Sequence, residues 1–432
     1  MKKPLEKIIQ RRITLVLLFF LAAVLVLIGR LFVLQIVNHG EYQRIASRQY
    51  EFARDLLPER GLIFAQDKSK SFIPLALNQI QKTLVASPEG IEDPIAAAEL
   101  LARELDLEKD KLLEKLSKPN DAYEIIAKNL DSKVAQDLAG KLLPGMFFEE
   151  DRRRIYPHDT LAAHILGFVS IEDQTEAGRY GLERYYNENL SGQRGFFQGV
   201  KDATGFLVTL GRKILRPPKN GGNIILTVDY NIQVKVEEVL AKTAEKWKAS
   251  SGTVLVLEPK TGKVLALAAV PSFNPNEFSK VSSYALFLNP LVESIYELGS
   301  VVKPITMAAA MEEGAVRPDS TYVDAGEVKI GGYTIKNFDL KTYNVQTMTQ
   351  VLEKSLNTGI VYAARQLGKE KQYGYLKKFG FGERTGVDLP GEVAGNISNL
   401  NAGRDIDYAT AAFGQGIAVT SLQLASAIAA IA

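Results

Sequence analysis

Tyr296-Glu297-Leu298-Gly299-Ser300-Val301-Val302-Lys303-Pro304 is the stretch on which the reading of this chain turns. Gly299 allows a tight backbone approach, and Pro304 is comfortable in the first turn of a helix. The pattern predicts Ser300 at the N-terminal end of a helix running to Gly314. Ser300 and Lys303, three apart, then share one helix face. A neutral lysine amine placed there can take the serine proton, and the helix N-terminus favours the negative charge that develops. A free lysine titrates near ~10.4, so a base poised near neutrality needs a depression worth about 4 kcal/mol, supplied by burial and neighbouring groups. Ser-x-x-Lys occurs once in the chain. Alone it is weak, because a serine cap followed by a solvated lysine spells the same string. A second element strengthens it: Lys354-Ser355-Leu356-Asn357-Thr358-Gly359. Ser355 and Asn357, two apart in a Gly-containing segment, can both point into a cleft. Ser355 can then pass a proton between Lys303 and a leaving group, and Asn357 can hold a substrate amide. By itself Ser-Leu-Asn reads better as a loop or a cap.

The chain around these motifs has 432 residues, 46% hydrophobic and 24% charged. That length suggests about three domains, and that composition excludes wholesale disorder, collagen and coiled coil. A net charge of +2 argues against a protein built mainly to hold nucleic acid. The absence of cysteine excludes disulfides, thiol catalysis, thiolate zinc sites and Cys-ligated iron–sulfur clusters. His39, His158 and His164 are the only histidines, too few for a His-based metal site or a Ser-His-Asp triad to be expected. No cofactor and no metal are expected, and His158 and His164 read as structural residues on a strand or turn.

The N-terminus reads MKKPLEKIIQRR and then ITLVLLFFLAAVLVLIG. Ile13 to Gly29 carries no charge, and the apolar segment continues past Arg30 to Val37. At helical rise this spans roughly 26 to 38 Å, enough for a ~30 Å hydrocarbon core. Arg30 can snorkel to the interface. Lys2, Lys3, Lys7, Arg11 and Arg12 precede the segment against a single Glu6. Positive-inside logic therefore puts residues 1–12 in the cytoplasm, a single membrane span at 13–37, and the bulk of the chain outside.

Downstream, residues 38–55 are polar and helix-compatible, and a strand-like region begins near residue 56. Residues 92–140 carry apolar positions at three- and four-residue spacing, predicting small packed helices with a solvated charged face at 99–118. GQRGFFQGVKDATGFLVTLGRK reads as hairpins, and RPPKNGGN (216–223) as a linker. The expected division is therefore 38–220 and 221–432. In the second part, the sequence predicts a short strand near 226 and a helix capped near Asp229. A hairpin follows at 252–270, turning at Pro259-Lys260-Thr261-Gly262, with helices at 305–313, 349–366 and 421–432.

Together and in this order, Ser-x-x-Lys and Ser-x-Asn fit the penicilloyl-serine transferase pattern. The whole chain resembles a class B penicillin-binding protein, the monofunctional peptidoglycan transpeptidase of cell division or elongation. The resemblance also rests on Arg60-Gly61, RIYPHDTLAAHILGFV (154–169), YGLERYYNENLSGQRG (180–195) and LTVDYNIQ (226–233). LEPKTGKVLALAAVPSFNPN (257–276), FGERTGVDLPGE (381–392) and FGQGIAVTSLQLASAIA (413–429) extend it. It implies an α/β transpeptidase domain, penicillin-binding protein/β-lactamase-like, at 221–432. Before this it implies a single transmembrane helix and an elongated α+β pedestal with a helical head. The implied activity is acylation of Ser300 by a D-Ala-D-Ala stem peptide, with Lys303 as general base, Ser355 as proton shuttle and Asn357 binding substrate. Release of D-alanine and transfer to a neighbouring stem's amine would follow, with β-lactams trapping the same serine. The implied partners are peptidoglycan stem peptides, a membrane-embedded glycan polymerase and other division or elongation proteins, and no nucleic acid.

The sequence departs from the pattern in two places. Leu298 stands where the family usually has proline. The family's third motif, Lys-Thr/Ser-Gly, does not occur after Lys303. Lys260-Thr261-Gly262 spells it, but before Ser300 and at a hairpin tip, so it is expected to serve the turn; Ser272-Phe273-Asn274 likewise mimics the second motif. The resemblance thus implies an incomplete transpeptidase domain, truncated before its third motif. The alternatives are a catalytically silent membrane-anchored scaffold of the cell-wall machinery and a serine D,D-carboxypeptidase.

Overall fold

The computed structural model describes residues 3–38, 40, 51–119, 121–172, 175–200 and 214–432. His39, residues 41–50 of the polar stretch and residues 201–213 of the Gly-rich segment lie outside them. The chain forms two compact units. The first comprises residues 1–58 and 193–219. Its N-terminal helix Lys3–Phe32 runs into a π-turn at Val33–Val37. Leu15–Val37 is long and apolar enough to cross a membrane. The same unit holds a three-stranded antiparallel sheet, with Gly195–Val200 between Glu51–Leu56 and Ile214–Arg216. Residues 51–55, expected as helix-compatible, are therefore strand. Their backbone groups pair with the Gly-rich strand, a long-range demand that overrides local propensity.

The second unit comprises residues 59–192 and 220–432, across the expected boundary at 220/221. Its first sheet is organised by the long strand Phe72–Ala86. That strand pairs along most of its length with Met146–Ile155, from Leu77↔Ile155 to Ala86↔Met146. It also pairs with Ile63–Gln66 and Glu124–Leu130. The helices Pro94–Leu105 and Lys109–Leu116 bury Ala97, Ala98, Leu101, Leu112 and Leu116 against this sheet's far end. Glu124–Leu130 interrupts the expected run of helices. Its EIIAKNL supplies the β-branched Ile125 and Ile126 to a sheet edge.

Ile224–Asp229, the short strand expected near 226 in the second part, pairs in parallel with Ile63–Gln66 of the first. The preceding RPPKNGGN is no free linker either. Asn220 Oδ1 accepts from Glu59 N, Gly221 N donates to Glu59 O, and Asn223 Oδ1 accepts from Leu62 N. Gly61 needs to be glycine here, because a Cβ would lie 2.0 Å from the Gly222 carbonyl oxygen.

Three of the quoted family segments meet in one buried cluster. Glu183, fully buried, accepts from Arg60 Nε at 2.7 Å and from Arg154 Nε at 2.7 Å. Tyr156 OH donates to the same carboxylate at 3.3 Å. Burial, followed by Glu183's charge, holds the Tyr156 phenol well above its ordinary range. Arg60 also donates to the Glu183 carbonyl, Asn187 Oδ1 and Ser191 Oγ. Arg154 reaches Asn78 Oδ1, and Asn78 Nδ2 donates back to the Arg60 carbonyl.

The helix Tyr230–Trp247, capped by the Asp229 side chain, covers the antiparallel hairpin Gly252–Leu257/Val264–Val270. Gln233, buried under it, brackets Leu267 by accepting from its N–H and donating to its carbonyl. Beyond lie the helices Lys303–Glu312, Met348–Glu353, Asn357–Leu367 and Ser421–Ala429. Lys303–Glu312 runs between two apolar cores. Val302 and Ile305 face Leu298, Phe381 and Val419, while Met307, Ala309 and Ala310 face Val351, Ile360 and Phe413. Its alanines permit this double burial.

Removing one charge from the buried cluster tests its weight. Glu183→Gln leaves two buried guanidinium groups without a counter-charge and is expected to cost about 3 to 5 kcal/mol. Chemical denaturation checks this, and a cost near zero would mean the cluster is not an energetic anchor.

Candidate active site

The Ser300 turn is assembled from both ends of the C-terminal half. Tyr296–Glu297 pairs antiparallel with Ala418–Val419. Gly299 N donates to Gly414 O at 3.0 Å, and Gly416 N donates to Glu297 Oε1 at 3.0 Å. Gly414 has φ 78°, and a Cβ on it would lie 2.3 Å from the Gly299 carbonyl oxygen. Only glycine lets the two turns approach this closely. Residues 299–302 form a single 3-10 turn, and the α-helix begins at Lys303 with Pro304 in its first turn. Thr306 Oγ1 donates to Ala412 O and pins the next turn.

The expected continuous helix over 349–366 is two helices broken at Lys354-Ser355-Leu356. Ser355 N donates to Leu352 O, and Leu356 N donates to Val351 O. Those two bonds, with Ser355 at φ 54°, are a Schellman motif in which serine takes the place usually held by glycine. Leu356 and Val351, both buried, supply its apolar contact. The string Ser-Leu-Asn allows a loop or cap, but without a glycine it does not mark Ser355 as the stop. A non-glycine residue in this left-handed conformation costs about 1 to 2 kcal/mol. Strain of this kind persists where surrounding structure holds it.

The broken helix presents both Ser355 oxygens to Lys303. Its Nζ donates to Ser355 O at 2.6 Å and to Ser355 Oγ at 3.0 Å. Lys303 is only 2% exposed, and burial lowers its pKa to about 8. A neutral amine has two N–H bonds, and Ser355 accepts both. Its lone pair then remains for a proton from elsewhere. The direct bond between Lys303 and Ser300 that a base requires is not formed in this arrangement. Catalytic hydrogen bonds commonly tighten only when substrate is bound.

Ser300 is exposed and opens into a cleft of about 330 Å³, shared with Ser355, Asn357, Asn337, Phe338, Asp339, Lys354 and Gln415. The structure thus brings Ser300, Ser355 and Asn357 into one cleft, with Lys303 beneath Ser355. Asn357 Nδ2 is held by the Lys336 carbonyl at 2.8 Å, which leaves its Oδ1 to accept from a ligand amide. Lys354 Nζ donates to Gln346 Oε1 and lies over the Tyr343 ring. Asp339 accepts from Tyr343 OH, the main cause holding its carboxyl below the usual range.

The look-alike motifs fall elsewhere. Thr261 and Gly262 line a different cavity of about 490 Å³, and Gly262 at φ 73° serves the hairpin turn. Phe273 is buried core, and Asn274 Oδ1 caps the short turn Pro275–Lys280. His164 sits in the short helix Ala163–Leu166 rather than on a strand or turn. Its Nε2 bonds the Leu286 carbonyl, and burial lowers its pKa. Among the described residues, no group of His, Cys, Asp and Glu is placed to hold a metal ion.

Comparison with known proteins places the chain in a family. Residues 252–432 match the penicillin binding protein transpeptidase domain, and residues 55–226 match the penicillin-binding protein dimerisation domain. The chain is 31% identical over 433 residues to the probable peptidoglycan D,D-transpeptidase PenA of Neisseria meningitidis, covering 100% of this chain and 72% of that protein. It belongs to the class B penicillin-binding proteins. Stage V sporulation protein D of Bacillus subtilis is 31% identical over 98% of this chain, of which the chain spans 65%. The crystal structure of penicillin binding protein 2X from Streptococcus thermophilus superposes with a TM-score of 0.73 at 25% identity. That likeness covers 88% of this chain and 59% of the solved one. The sequence alone gives no role to Gly414, which closes on Gly299, or to Asn337, which lines the Ser300 cleft.

The strained Ser355 backbone gives a test that separates conformation from chemistry. Ser355→Gly is expected to be about 1 kcal/mol more stable than Ser355→Ala, because glycine relieves the left-handed strain. Both variants lose the hydroxyl, so neither is expected to acylate at the wild-type rate. Thermal denaturation and penicillin labelling report the two effects separately.

Proposed function

We propose that this chain carries the acylating centre of a membrane-anchored, penicillin-sensitive peptidoglycan D,D-transpeptidase. The observation that carries the reading is the buried Lys303 amine, lowered to about 8 and bonded twice to Ser355 beside the Ser300 cleft. Ser300 Oγ attacks the carbonyl between the two terminal D-alanines of a stem peptide, and its proton goes to the neutral Lys303 amine. Ser355 relays that proton to the departing amine, and D-alanine leaves. The acceptor stem's amine then attacks the acyl-serine ester, gives up a proton by the same route, and restores the Ser300 hydroxyl. Asn357 Oδ1 accepts from a backbone amide of the donor peptide. β-Lactams present a strained amide to the same serine and remain as the ester.

The anchor fits this work. The apolar segment at 13–37 with its basic flank supports a single span with the N-terminus in the cytoplasm and the site on the side where peptidoglycan lies. On this reading residues 38–220 serve as a pedestal contacting a membrane-embedded glycan polymerase and other division or elongation proteins. Residues 221–432 carry the chemistry.

Two measurements test the reading. Fluorescent penicillin is expected to label the protein stably and to fail on Ser300→Ala; label surviving that change would remove Ser300 from the site. A carboxypeptidase-like hydrolase would shed the label quickly, and a silent scaffold would take none. The second is the pH profile. Below about 8 the amine holds a proton and cannot accept one, so the acylation rate is expected to rise about tenfold per pH unit and level off near 8. A flat profile would exclude Lys303 as the base.

A further inference from the structure

Asp324 is 1% exposed at the end of the strand Thr321–Asp324, and the chemistry proposed above makes no use of it. Its carboxylate gathers donors from three separate segments. Oδ1 accepts from Gly326 N at 3.0 Å, Asn337 Nδ2 at 3.1 Å and Thr358 Oγ1 at 2.7 Å. Oδ2 accepts from Asn337 Nδ2 at 3.0 Å and Tyr343 N at 2.9 Å. Among the described residues no lysine or arginine forms an ion pair with it. The donors it holds carry both walls of the Ser300 cleft. Asn337 is 2% exposed and begins the loop that contributes Phe338 and Asp339 to one wall. Its Nδ2 also donates to Lys341 O, closing that loop on itself. Thr358 follows Asn357 in the first turn of the opposite wall, and its N–H donates to Asn337 Oδ1. Tyr322 OH lies 3.1 Å from Thr358 Oγ1 and backs the junction.

We propose that Asp324 is a positioning residue of the acyl-transfer site, setting the spacing of the 337–343 loop and the Asn357 turn across the Ser300 cleft. The proposal rests on the acyl-serine reading above. Every group facing Asp324 is a donor, so only a side chain that accepts at both ends satisfies them all. An amide in its place turns one acceptor into a donor pointed at other donors. The junction then has to shift, and a shift of about 1 Å in a positioned site can cost about a hundredfold in rate. Asn357 sits one residue from the junction, so the loss falls on the reacting geometry.

The test is acylation of the detergent-solubilised protein by fluorescent penicillin, followed by rapid mixing. It yields the acylation rate constant, the affinity of the preceding complex and the fraction of molecules labelled. Asp324→Asn and Thr358→Val are expected to label to full stoichiometry, with an acylation rate constant about 10- to 100-fold lower. Thr358→Ser keeps the hydroxyl and is expected to restore the rate. A lower labelled fraction with an unchanged rate constant would mean that Asp324 only supports folding, and would overturn the proposal. So would a Thr358→Ser rate as low as that of Thr358→Val. If Asp324→Asn does not fold, the two Thr358 variants decide alone. Wild type and Ser300→Ala run alongside: absent wild-type label, or label surviving in Ser300→Ala, indicts the acyl-serine reading and not the role of Asp324.

Discussion

A lysine amine buried to 2% exposure must find acceptors inside the protein, and meeting that demand organises the C-terminal half. Lys303 finds both acceptors on one residue, Ser355. For a single residue to offer its carbonyl and its hydroxyl in the same direction, the helix carrying it has to stop there. The chain does so through a left-handed serine in a Schellman motif, at a local cost in strain. The next helix then starts at Asn357, which places that side chain at the cleft. One buried amine thus sits against a helix break, a strained residue and the start of the helix that carries Asn357. The lowered Lys303 pKa has the same origin, since burial disfavours the charged form.

A comparable logic holds the N-terminal part of the same unit together. Glu183 collects two guanidinium groups and a phenol, drawn from segments near residues 60, 154 and 156. Those segments are far apart in sequence, so the cluster forms only when the sheet around Phe72–Ala86 and the short helices at 181–191 are in place. Lys303 and Glu183 differ in what their burial does. Glu183 is matched by two opposite charges and stiffens the fold. Among the described residues Lys303 forms no ion pair, and burial lowers its pKa to about 8, as the proposed role of base requires.

Legibility in the sequence followed the range of the interactions. The hairpin at 252–270 and a helix following Ser300 are readable because alternation, turn residues and Pro304 are local signals; that residues 299–302 form a 3-10 turn first is not. The strand Glu124–Leu130 was not, because its neighbours carry helical spacing and only sheet pairing decides its state. Ile224–Asp229 reads as a strand from its own residues, but nothing in them tells which edge it joins. At Ser355 the string Ser-Leu-Asn allows a loop or cap, but serine in a glycine position does not mark where the helix stops.

The sequence by itself determined the chemistry available: one Ser-x-x-Lys, one Ser-x-Asn downstream of it, an apolar N-terminal segment and no cysteine. It also determined the family, through many short segments in a single order. Tertiary structure alone decided which of these residues meet. Ser300, Ser355 and Asn357 share a cleft, while the look-alike Lys260-Thr261-Gly262 turns a hairpin beside another cavity. Only the folded chain buries Lys303 and so moves its pKa. Only there does Asp324 gather donors from three segments that the sequence keeps apart. The physical reason is common to all of these: desolvation and hydrogen-bond convergence depend on distances in space, which local spacing along the chain does not encode.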